Sequence, residues 1–490
     1  MTDYDVTSLT ERLEQAQLGA VIEERGIVTA IADGLASLSG LRGAGLNEVL
    51  EFDGGVRGFV MTIEEAEIKA AFLDRSDAIA AGCTVRRLGH LLSVPVGPEM
   101  LGRVIDPLGR ALDGLPDPVT SLTLPAERPA PTIIERDFVS KPLETGILVI
   151  DALFAIGRGQ RELIIGERQT GKTSLAVDAM LAQRGGPVIT IYVAIGQRSA
   201  AVTRVIETLR SQNAMDRTIV MVADPAGEPG LRWLAPFAAT SLAEWFRDQG
   251  EDVLIVYDDL TKHAAVHREL ALLAQQPPGR EAYPGDIFYL HARLLERSGK
   301  VRNGGSITAL PIAEIEAGNL SAYIPTNLIS ISDGQIVTSA SLFAANQRPA
   351  VDVGLSVSRV GGKAQSKALK SVAGRLRLDY AQYLEMKMFA RFGGFGDAAQ
   401  ADRMIRGERI AALFIQDRLL HLSTWTQIAL LAGLEAGVLD RITPRQINAL
   451  KTLVATRVDN DPYLADLDAP LTDEIRNLCA QLVAQAAETL

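Results

Sequence analysis

The sequence predicts a multi-domain α/β protein with a small N-terminal β-barrel, a central α/β domain built on a parallel sheet, and a C-terminal helical bundle. Its 490 residues correspond to about three domains at roughly 150 residues each. Short β-branched runs characterise residues 1–91, apolar strands alternate with helical segments over residues 92–365, and amphipathic helices fill residues 366–490. The predicted domain boundaries lie where one of these three sequence patterns gives way to the next.

The composition argues against several classes of protein. Asp and Glu number 60 against 49 Lys and Arg, and the net charge of −11 disfavours general nucleic-acid binding. Two cysteines, Cys83 and Cys479, cannot build a disulfide framework or a cysteine-rich zinc module. No apolar run approaches the roughly 20 residues that span a bilayer, and Met1–Asp5 lacks signal-peptide features. We therefore expect a cytoplasmic chain that reaches a membrane only through partners.

The first part contains one helix signal and two hairpin signals. Ser8-Leu-Thr-Glu11 has the form of a capping box, so a short helix is expected there. From Gly26 onward, β-branched runs are interrupted by Asp33-Gly34 and Asp53-Gly54-Gly55, which are typical of hairpin turns. Short strands joined by tight turns predict a small barrel or sandwich.

The second part alternates strands with helices. A helix is expected at Thr173–Gln183. Strands are predicted at 161–165, Pro187–Ile195, Thr218–Ala223 and Asp252–Tyr257. Because these strands are apolar throughout rather than alternating, they indicate a parallel sheet covered on both faces. In the helical third part, Thr472 is the expected cap of one helix and Thr443-Pro444 the expected start of another, while Cys479 lies on an apolar stripe.

Residues Gly166–Thr173 match the pattern G-x-x-x-x-G-K-[ST] at every fixed position. The match follows a predicted buried strand and opens a predicted helix, which is the context that this motif requires. Glycines let successive backbone N–H groups point at phosphate oxygens, and the helix N-terminus adds a positive field. Lys172 supplies a point charge for the outer phosphates, and the Thr173 hydroxyl can ligate magnesium. The motif predicts a nucleoside triphosphate site.

An acidic strand end is expected beside this loop to hold the magnesium. The apolar run Val253–Tyr257 is followed by Asp258 and Asp259. Since parallel strands end at the same edge of a sheet, Asp258 is the predicted metal-side acid. Asp259 is the alternate, although capping the next helix is the favoured interpretation for it.

Cleavage of ATP requires a group that deprotonates the attacking water. In rotary and related hexameric motors that group is a Glu just beyond the strand that follows the phosphate-loop helix. Here that strand ends at Tyr192–Gln197, so position 197 is Gln. A carboxamide can orient water but cannot accept its proton near neutral pH. The chain is expected to hold nucleotide and to cleave it poorly, unless another base such as Asp224 or Glu228 acts instead.

Together these residues resemble the α subunits of F-type ATP synthases. The matching stretches are Ile156–Gly166, Arg168–Thr173, Tyr192–Gln197, Pro277–Asp286, Phe288–His291, Arg293–Arg297, Ser321–Asn327 and Val353–Gly361. They run across the whole central part, and the three-part layout matches the family from end to end. Gln197 separates this family from its catalytic β partner, which carries Glu there.

The resemblance implies an alternating ring of three α and three β subunits around a central stalk that contains γ. A peripheral stalk and a membrane sector would complete the complex, which couples ion transport to ATP synthesis or hydrolysis. The α sites bind magnesium with ATP or ADP without turning it over. Arg359 matches the family's arginine finger, which projects into the adjacent β site, and Ser356 would help to position it. No nucleic acid is expected, and the implied location is the cytoplasmic face of the bacterial inner membrane.

Nucleotide contacts carry over by matching position. The implied set is Gly166, Glu167, Arg168, Gln169, Thr170, Gly171, Lys172, Thr173, Ser174, Gln197, Phe343, Arg348, Pro349 and Gln416, with Thr173 and Asp258 at the magnesium. Gln416 matches the first Gln of the family's Gln-Gly-Gln adenine contact. Departures from the family pattern are Arg418 in place of the second Gln, Glu167, Arg198, Gln275-Gln276 and Gly394-Phe-Gly396. They suggest a divergent or second-copy α subunit.

Other interpretations stay open at this point. A self-sufficient hexameric ATPase, such as a secretion motor or a helicase, would need a catalytic Glu within the chain. A nucleotide-stabilised scaffold would leave Arg359 without a role. His263 and His267 are spaced i, i+4 and could hold a metal, but no third ligand is suggested, so packed or solvated histidines are favoured.

Overall fold

The computed structural model describes residues 24–389, 398–459, 464, 467 and 469–490. The chain divides into two compact units, Met1–Leu91 and Leu92–Leu490. The helix predicted at Ser8 and the segment Gly394-Phe-Gly396 lie outside the described residues. The predicted boundary between residues 365 and 366 falls inside the second unit and stays a prediction. Among the described residues, no helix is both long and apolar enough to cross a membrane.

The first unit is a closed antiparallel barrel. Its strands are Arg25–Ala32, Leu35–Gly40, Glu48–Phe52, Arg57–Ile63, Ile68–Phe72 and Thr84–Leu91. Around the barrel they follow the order 1-2-5-4-3-6, and the sixth strand pairs with the first. Both predicted hairpin turns are present. Asp33 and Gly34 have φ values of 35° and 88°, and Gly54 has a φ of 77°, in the left-handed region that glycine adopts freely. The predicted small barrel is confirmed.

Inward-facing apolar side chains fill the barrel. Val28, Leu38, Leu50, Phe52 and Phe72 are almost completely buried. The rings of Phe52 and Phe72 lie 4.8 Å apart between centroids. Burial of each such side chain stabilises the folded state by about 1.5–3 kcal/mol. The barrel therefore has a hydrophobic core of its own.

The second unit is built on a mostly parallel sheet. Across the sheet its strands follow the order Val357–Ser358, Gly334–Thr338, Glu162–Gly166, Ser306–Glu314, Asp252–Asp258, Ile189–Ile195, Thr218–Ala223 and Val104–Ile105. Antiparallel pairing occurs at the first edge and where Gly299–Lys300 joins Ser306–Glu314. The four predicted strands are confirmed to within two residues at each end. They are almost entirely buried, as expected for a parallel sheet with helices on its faces.

Helices cover the sheet and form the C-terminal region of this unit. Those within the central part are Leu148–Leu153, Lys172–Leu181, Ser199–Ser211, Pro229–Asp248, Leu260–Leu273, Ile287–Leu295, Tyr323–Ile331 and Ala340–Ala344. The C-terminal helices are Lys367–Ala373, Leu376–Phe389, Ala398–Phe414, Thr424–Glu435, Ile447–Val458 and Asp473–Ala487. Two short pairs of strands complete the unit, Ser93–Pro95 with Thr123–Pro125 and Pro142–Leu143 with Ile156–Gly157.

The C-terminal helix starts bear out one prediction and correct another. Thr472 caps the last helix by accepting a hydrogen bond from the Ile475 amide at 3.3 Å, and Cys479 is buried, both as predicted. The start predicted at Thr443-Pro444 was wrong, because that helix begins at Ile447. The Thr443 hydroxyl donates to Gln446 Oε1 at 2.7 Å, and the residues between form a turn.

Asp151 connects the central part of the second unit to its C-terminal helices. Its carboxylate accepts hydrogen bonds from the amides of Thr145 and Gly146 at 2.9 Å and from Gln427 Nε2 at 2.7 Å. Burial raises the pKa of Asp151 to about 6. A buried carboxylate with this many donors holds the segment before the phosphate loop against the helix Thr424–Glu435.

The two histidines spaced four residues apart are packed in the interior. His267 Nδ1 accepts from the indole N–H of Trp233 at 3.2 Å, and its Nε2 lies 3.0 Å from Asp286 Oδ1. His263 contacts His291 at 3.4 Å, and burial lowers the pKa of both, to about 3 for His291. Within the described ranges, no three His, Cys, Asp or Glu side chains are placed to hold a metal. Of the two interpretations that the sequence favoured, packed or solvated, the burial of both histidines agrees with the packed one.

Candidate nucleotide site

The loop after the strand Glu162–Gly166 has the curled form that the motif predicts. Gly171 caps the following helix with φ 91°, and Gln169 has φ 62°. Lys172 Nζ donates to the carbonyls of Gly166 at 3.0 Å and Glu167 at 2.6 Å, so the loop folds back over the ammonium group. Burial lowers the pKa of Lys172. The loop amides and the ammonium are therefore together at one end of a cavity.

That cavity has a volume of about 530 Å³. Most of the predicted contacts line it: Gln169, Thr170, Gly171, Lys172, Thr173, Ser174, Gln197, Asp258, Phe343, Arg348, Pro349 and Gln416. Gly166, Glu167 and Arg168 do not line it. The exposed side chain of Arg168 donates instead to Glu314 Oε2 at 3.0 Å. Glu167 contributes its backbone carbonyl to Lys172.

The structure brings the two predicted magnesium ligands together. Asp258 ends its strand and accepts from the Thr173 hydroxyl at 2.7 Å. The same carboxylate accepts from Tyr192 at 2.8 Å, and burial raises its pKa. Hydroxyl and carboxylate oxygens are the donors that magnesium prefers, with waters and phosphate oxygens completing its shell. The chemistry of this donor set therefore fits magnesium held beside the phosphates.

Asp259 has the capping role that the sequence favoured. Its Oδ1 accepts from the Lys262 amide at 2.7 Å, at the start of the helix Leu260–Leu273. Burial, reinforced by the charge of neighbouring Asp258, raises the pKa of Asp259 to about 7. Both acids thus lie in the cavity wall, but Asp259 is engaged by its own helix.

Gln197 is held at both ends of its carboxamide. Its Nε2 donates to Asp258 Oδ1 at 2.6 Å, and its Oε1 accepts from Lys262 Nζ at 2.6 Å. The alternative bases that the sequence offered, Asp224 and Glu228, do not line the cavity. Asp224 instead accepts from the Ala226 amide at 2.7 Å in its own turn. The side chain at the position where the sequence analysis looked for a catalytic Glu is therefore an amide bonded to the metal-side acid.

The other end of the cavity is formed by the short helix Ala340–Ala344 with the loop after it, and by the loop that contains Gln416. The Arg348 guanidinium lies 4.5 Å from the centroid of the Phe343 ring, and Pro349 follows it. The Gln416 backbone amide donates to the Arg348 carbonyl at 2.7 Å, which joins the two segments.

The Gln416 side-chain carboxamide is fully hydrogen-bonded to the backbone of this chain. Both of its N–H groups donate to backbone carbonyls, and its oxygen accepts from the Leu148 amide at 3.1 Å. It fixes the loop and offers no donor to a ligand.

A buried lysine, Lys451, binds the segment just before Gln416. Lys451 Nζ donates to the carbonyls of Ala412 and Ile415 and to Asn448 Oδ1, and burial lowers its pKa to about 7. The last carbonyls of a helix have no partner within the helix, and the Lys451 amino group supplies donors to them at the end of Ala398–Phe414. Lys451 therefore fixes where the segment beginning at Gln416 leaves the helix.

Arg359 lies outside this cavity, exposed to solvent. Its backbone amide donates to the Asp333 carbonyl at 2.8 Å, which fixes the loop. In the part of the chain that the structure describes, its guanidinium has no side-chain hydrogen bond, and its charge acts on the buried carboxyl of Glu162 by partly offsetting the rise in pKa that burial causes there. Ser356 is buried, and its hydroxyl donates to the Asp352 carbonyl and accepts from the Val337 amide. Ser356 can therefore support the Arg359 loop, but its hydroxyl is turned inward.

Sequence reasoning did not identify Asp178, which lines the cavity, or Tyr192 and Lys262, which bond to residues that line it. Tyr192 lies two residues before Ala194, which pairs with Asp258, so it points to the same side of the sheet. Lys262 follows the capping Asp259 by three residues, a spacing that could have indicated it. Asp178 is the acid on the otherwise largely apolar phosphate-loop helix, and it lines the cavity. That isolated acid was the available signal for a polar role.

Comparison with known proteins agrees with this geometry. The sequence model of the ATP synthase alpha/beta family, nucleotide-binding domain, matches residues 146–358, and that of the ATP synthase alpha/beta chain, C terminal domain, matches residues 365–484. A Cereibacter sphaeroides protein named ATP synthase subunit alpha 2 is 62% identical over 493 residues, covering 99% of each chain. The chain belongs to the α subunits of the F-type ATP synthase family.

Further relatives of this α subunit carry similar names. A Burkholderia thailandensis protein named ATP synthase subunit alpha 2 is 60% identical over 445 residues, covering 90% of this chain and 80% of the relative. A Paraburkholderia xenovorans protein named ATP synthase subunit alpha 3 is 58% identical over 450 residues, covering 91% and 85%. The expected family and the expected fold are thereby confirmed, and the α subunit is a component of an ATP synthase complex.

Proposed function

We propose that this α subunit binds magnesium with ATP or ADP without hydrolysing it, and lends Arg359 to the catalytic site of an adjacent β subunit. The observation that carries the proposal is the Gln197 carboxamide, bonded between Asp258 and Lys262. It occupies the place where a hydrolytic site needs a carboxylate. An amide at this position can hold a water molecule but cannot take its proton.

Binding would use the groups at the phosphate-loop end. On nucleotide entry, Lys172 exchanges its bonds to the Gly166 and Glu167 carbonyls for bonds to phosphate oxygens, and the loop amides bind the remaining oxygens. Thr173 and Asp258 would hold the magnesium ion, which neutralises phosphate charge when bound. Phe343, Arg348 and Pro349 form the wall for the base.

The hydrogen bonds of the acids in the cavity wall support the proposed absence of hydrolysis. Asp258 already accepts from Thr173, Tyr192 and Gln197, and Asp259 accepts from the Lys262 amide. Glu314 pairs with Arg168. A self-sufficient ATPase, such as a secretion motor or helicase, is therefore not favoured.

The position of Arg359 supports its proposed role in the catalytic site of a neighbouring subunit. It is exposed, lies outside its own cavity and belongs to a loop held by backbone and Ser356 hydrogen bonds. In the alternating ring of three α and three β subunits, this cation would stabilise charge on the transferring phosphoryl group, worth a thousandfold or more in rate. A central stalk with γ, a peripheral stalk and a membrane sector at the cytoplasmic face of the bacterial inner membrane would couple this reaction to ion transport. Because the relatives are named subunit alpha 2 and subunit alpha 3, we also propose that this chain is a second-copy form of the α subunit.

Binding and turnover by the purified full-length chain test the proposal. We expect magnesium-ATP to bind and turnover to be negligible. Lys172→Met should weaken binding strongly, whereas Lys367→Met, at an exposed helix start, should leave it unchanged. Rapid turnover by the isolated chain would contradict the non-catalytic assignment, and equal binding by both variants would contradict the assigned phosphate site.

A further inference from the structure

The loop that carries Arg359 is closed into a turn by one hydroxyl group. Ser358, the residue before Arg359, accepts a hydrogen bond at its Oγ from the Gly361 amide at 2.9 Å. The same hydroxyl donates to the Ala155 carbonyl at 3.3 Å. The Arg359 amide in turn donates to the Asp333 carbonyl at 2.8 Å. The backbone on both sides of Arg359 is therefore held by hydrogen bonds.

A buried glutamine, Gln160, binds the same hydroxyl. Its Nε2 donates to Ser358 Oγ at 3.1 Å and to Glu162 Oε2 at 2.6 Å. Its Oε1 accepts from the Gly157 amide at 2.9 Å. Gln160 is completely buried, and both of its N–H groups and its oxygen have partners, so its carboxamide is held in one orientation. Gln160 therefore connects the Ser358 hydroxyl to the strand Glu162–Gly166.

The carboxyl group of Glu162 lies against Gly334, on the strand between Glu162 and the Arg359 loop. Gly334 pairs with Glu162 on one side and with Ser358 on the other. A Cβ at position 334 would lie 2.5 Å from Glu162 Oε2, so the absence of a side chain at Gly334 leaves the space that the carboxyl occupies. Burial raises the pKa of Glu162, and the charge of Arg359 partly offsets this rise. Glu162 thus supports Gln160 from inside the sheet and lies within electrostatic reach of Arg359.

The proposed reaction in the neighbouring subunit depends on where the Arg359 guanidinium lies. A cation stabilises developing charge when it is preorganised at the right distance, and a misplacement of about 1 Å costs about a hundredfold in rate. Because the Arg359 side chain is exposed, the backbone of its loop sets the point from which it extends. We propose that Gln160 and Glu162 are positioning residues for Arg359 and act on it through Ser358. This inference rests on the proposed function of Arg359.

Steady-state kinetics of ATP hydrolysis by a complex reconstituted with β and γ subunits tests it. Gln160→Met keeps the approximate size of the side chain and removes its donors and its acceptor. We expect kcat to fall by about tenfold to a hundredfold with an unchanged KM for ATP, because the weakened interaction is made in the transition state. Glu162→Leu should also lower kcat, and Glu162→Gln, which keeps an oxygen acceptor for Gln160, should restore most of the loss.

The same substitution in a complex that already lacks the arginine separates positioning from a general effect on the fold. In Arg359→Ala complexes, Gln160→Met should cause no further loss of turnover, since it acts only through Arg359. A loss by the same factor in both backgrounds would overturn the inference. Gln183→Met makes the same change at another buried glutamine, whose side chain donates to the carbonyls of Glu144 and Ala179, and should leave kcat unchanged.

A second pair of variants keeps the test decisive if Gln160→Met does not assemble. Ser358→Ala removes the hydroxyl and should lower kcat as Gln160→Met does, whereas Ser358→Thr keeps a hydroxyl and should recover most of the activity. Unchanged turnover in Arg359→Ala would overturn the proposed function of Arg359 together with this inference. Reduced turnover in Arg359→Ala with full turnover in Ser358→Ala would overturn only the positioning assignment.

Discussion

The carboxamide nitrogen of Gln197 lies 2.6 Å from the carboxylate of Asp258. Asp258 ends its strand, and Gln197 lies two residues beyond the end of the adjacent parallel strand Ile189–Ile195, whose Ala194 pairs with Asp258, so the sheet register brings the two side chains together. At the other end of the amide, Lys262 donates to the oxygen. Replacement of the amide by a carboxylate would therefore change the interactions with Asp258 and Lys262 as well as the group that can bind water.

Gln197→Glu should destabilise the fold in a pH-dependent manner. At pH 8 the new carboxylate faces Asp258 without a proton to donate, and we expect the free energy of unfolding to fall by about 1–3 kcal/mol. At pH 5 a protonated Glu can donate again, so the loss should shrink. Urea denaturation at both pH values measures this. Gln197→Met serves as the control, since it removes both hydrogen bonds without adding charge and should lose a similar amount at each pH.

Arg359→Ala should reduce ATP turnover by about a thousandfold in a complex reconstituted with β and γ subunits, because the transition state loses a cation. Assembly, followed by size-exclusion chromatography, should be unaffected. Arg445→Ala removes an exposed arginine from the C-terminal region and should retain full turnover. Unchanged turnover in Arg359→Ala would exclude the finger.

The buried Lys451 should make the free energy of unfolding rise with pH. Burial lowers its pKa from 10.5 to about 7. Between these values the unfolded chain binds a proton that the folded chain lacks, so the Lys451 contribution to the free energy of unfolding increases from pH 7 upward. The stability difference between wild type and Lys451→Met should grow in favour of the wild type between pH 7 and pH 9.5. A difference that stays constant with pH would show that the ammonium keeps its ordinary pKa in the fold.

Asp151→Asn should cost about 1–3 kcal/mol of unfolding free energy, because an amide nitrogen would replace one of two oxygens that both accept hydrogen bonds. Chemical denaturation gives the value directly. Asp216→Asn makes the same chemical change at an exposed position and should be close to neutral. Equal, small effects of the two substitutions would argue that Asp151 does not connect the two regions energetically.

Features encoded by neighbouring residues were predictable from the sequence. The Asp33-Gly34 turn, the phosphate loop and the Thr472 cap each depend on a few consecutive residues whose backbone preferences suffice. The helix start at Thr443-Pro444 failed despite such a signal, because the Thr443 hydroxyl bonds to Gln446 instead of capping. A local signal predicts a structure only when no nearby side chain competes for the same donor.

Contacts between distant segments were beyond local reasoning. Tyr192 reaches Asp258 through strand register, and Lys451 reaches the loop before Gln416 through helix packing. Resemblance placed Gln416 at the base, yet its donors are taken by the backbone of Gly146 and Leu420. Which polar atoms stay available to a ligand depends on the assembled structure, and a motif does not encode that information.

Closure of the first unit's barrel has a consequence for folding beside many copies of the same chain. The strand Thr84–Leu91 pairs with both Arg25–Ala32 and Glu48–Phe52, so the barrel is closed and has no edge strand. Within the described strands of the barrel, an incoming extended segment finds no unpaired row of amides to join. Once formed, this unit resists intermolecular strand addition, the route by which open-edged sheets aggregate.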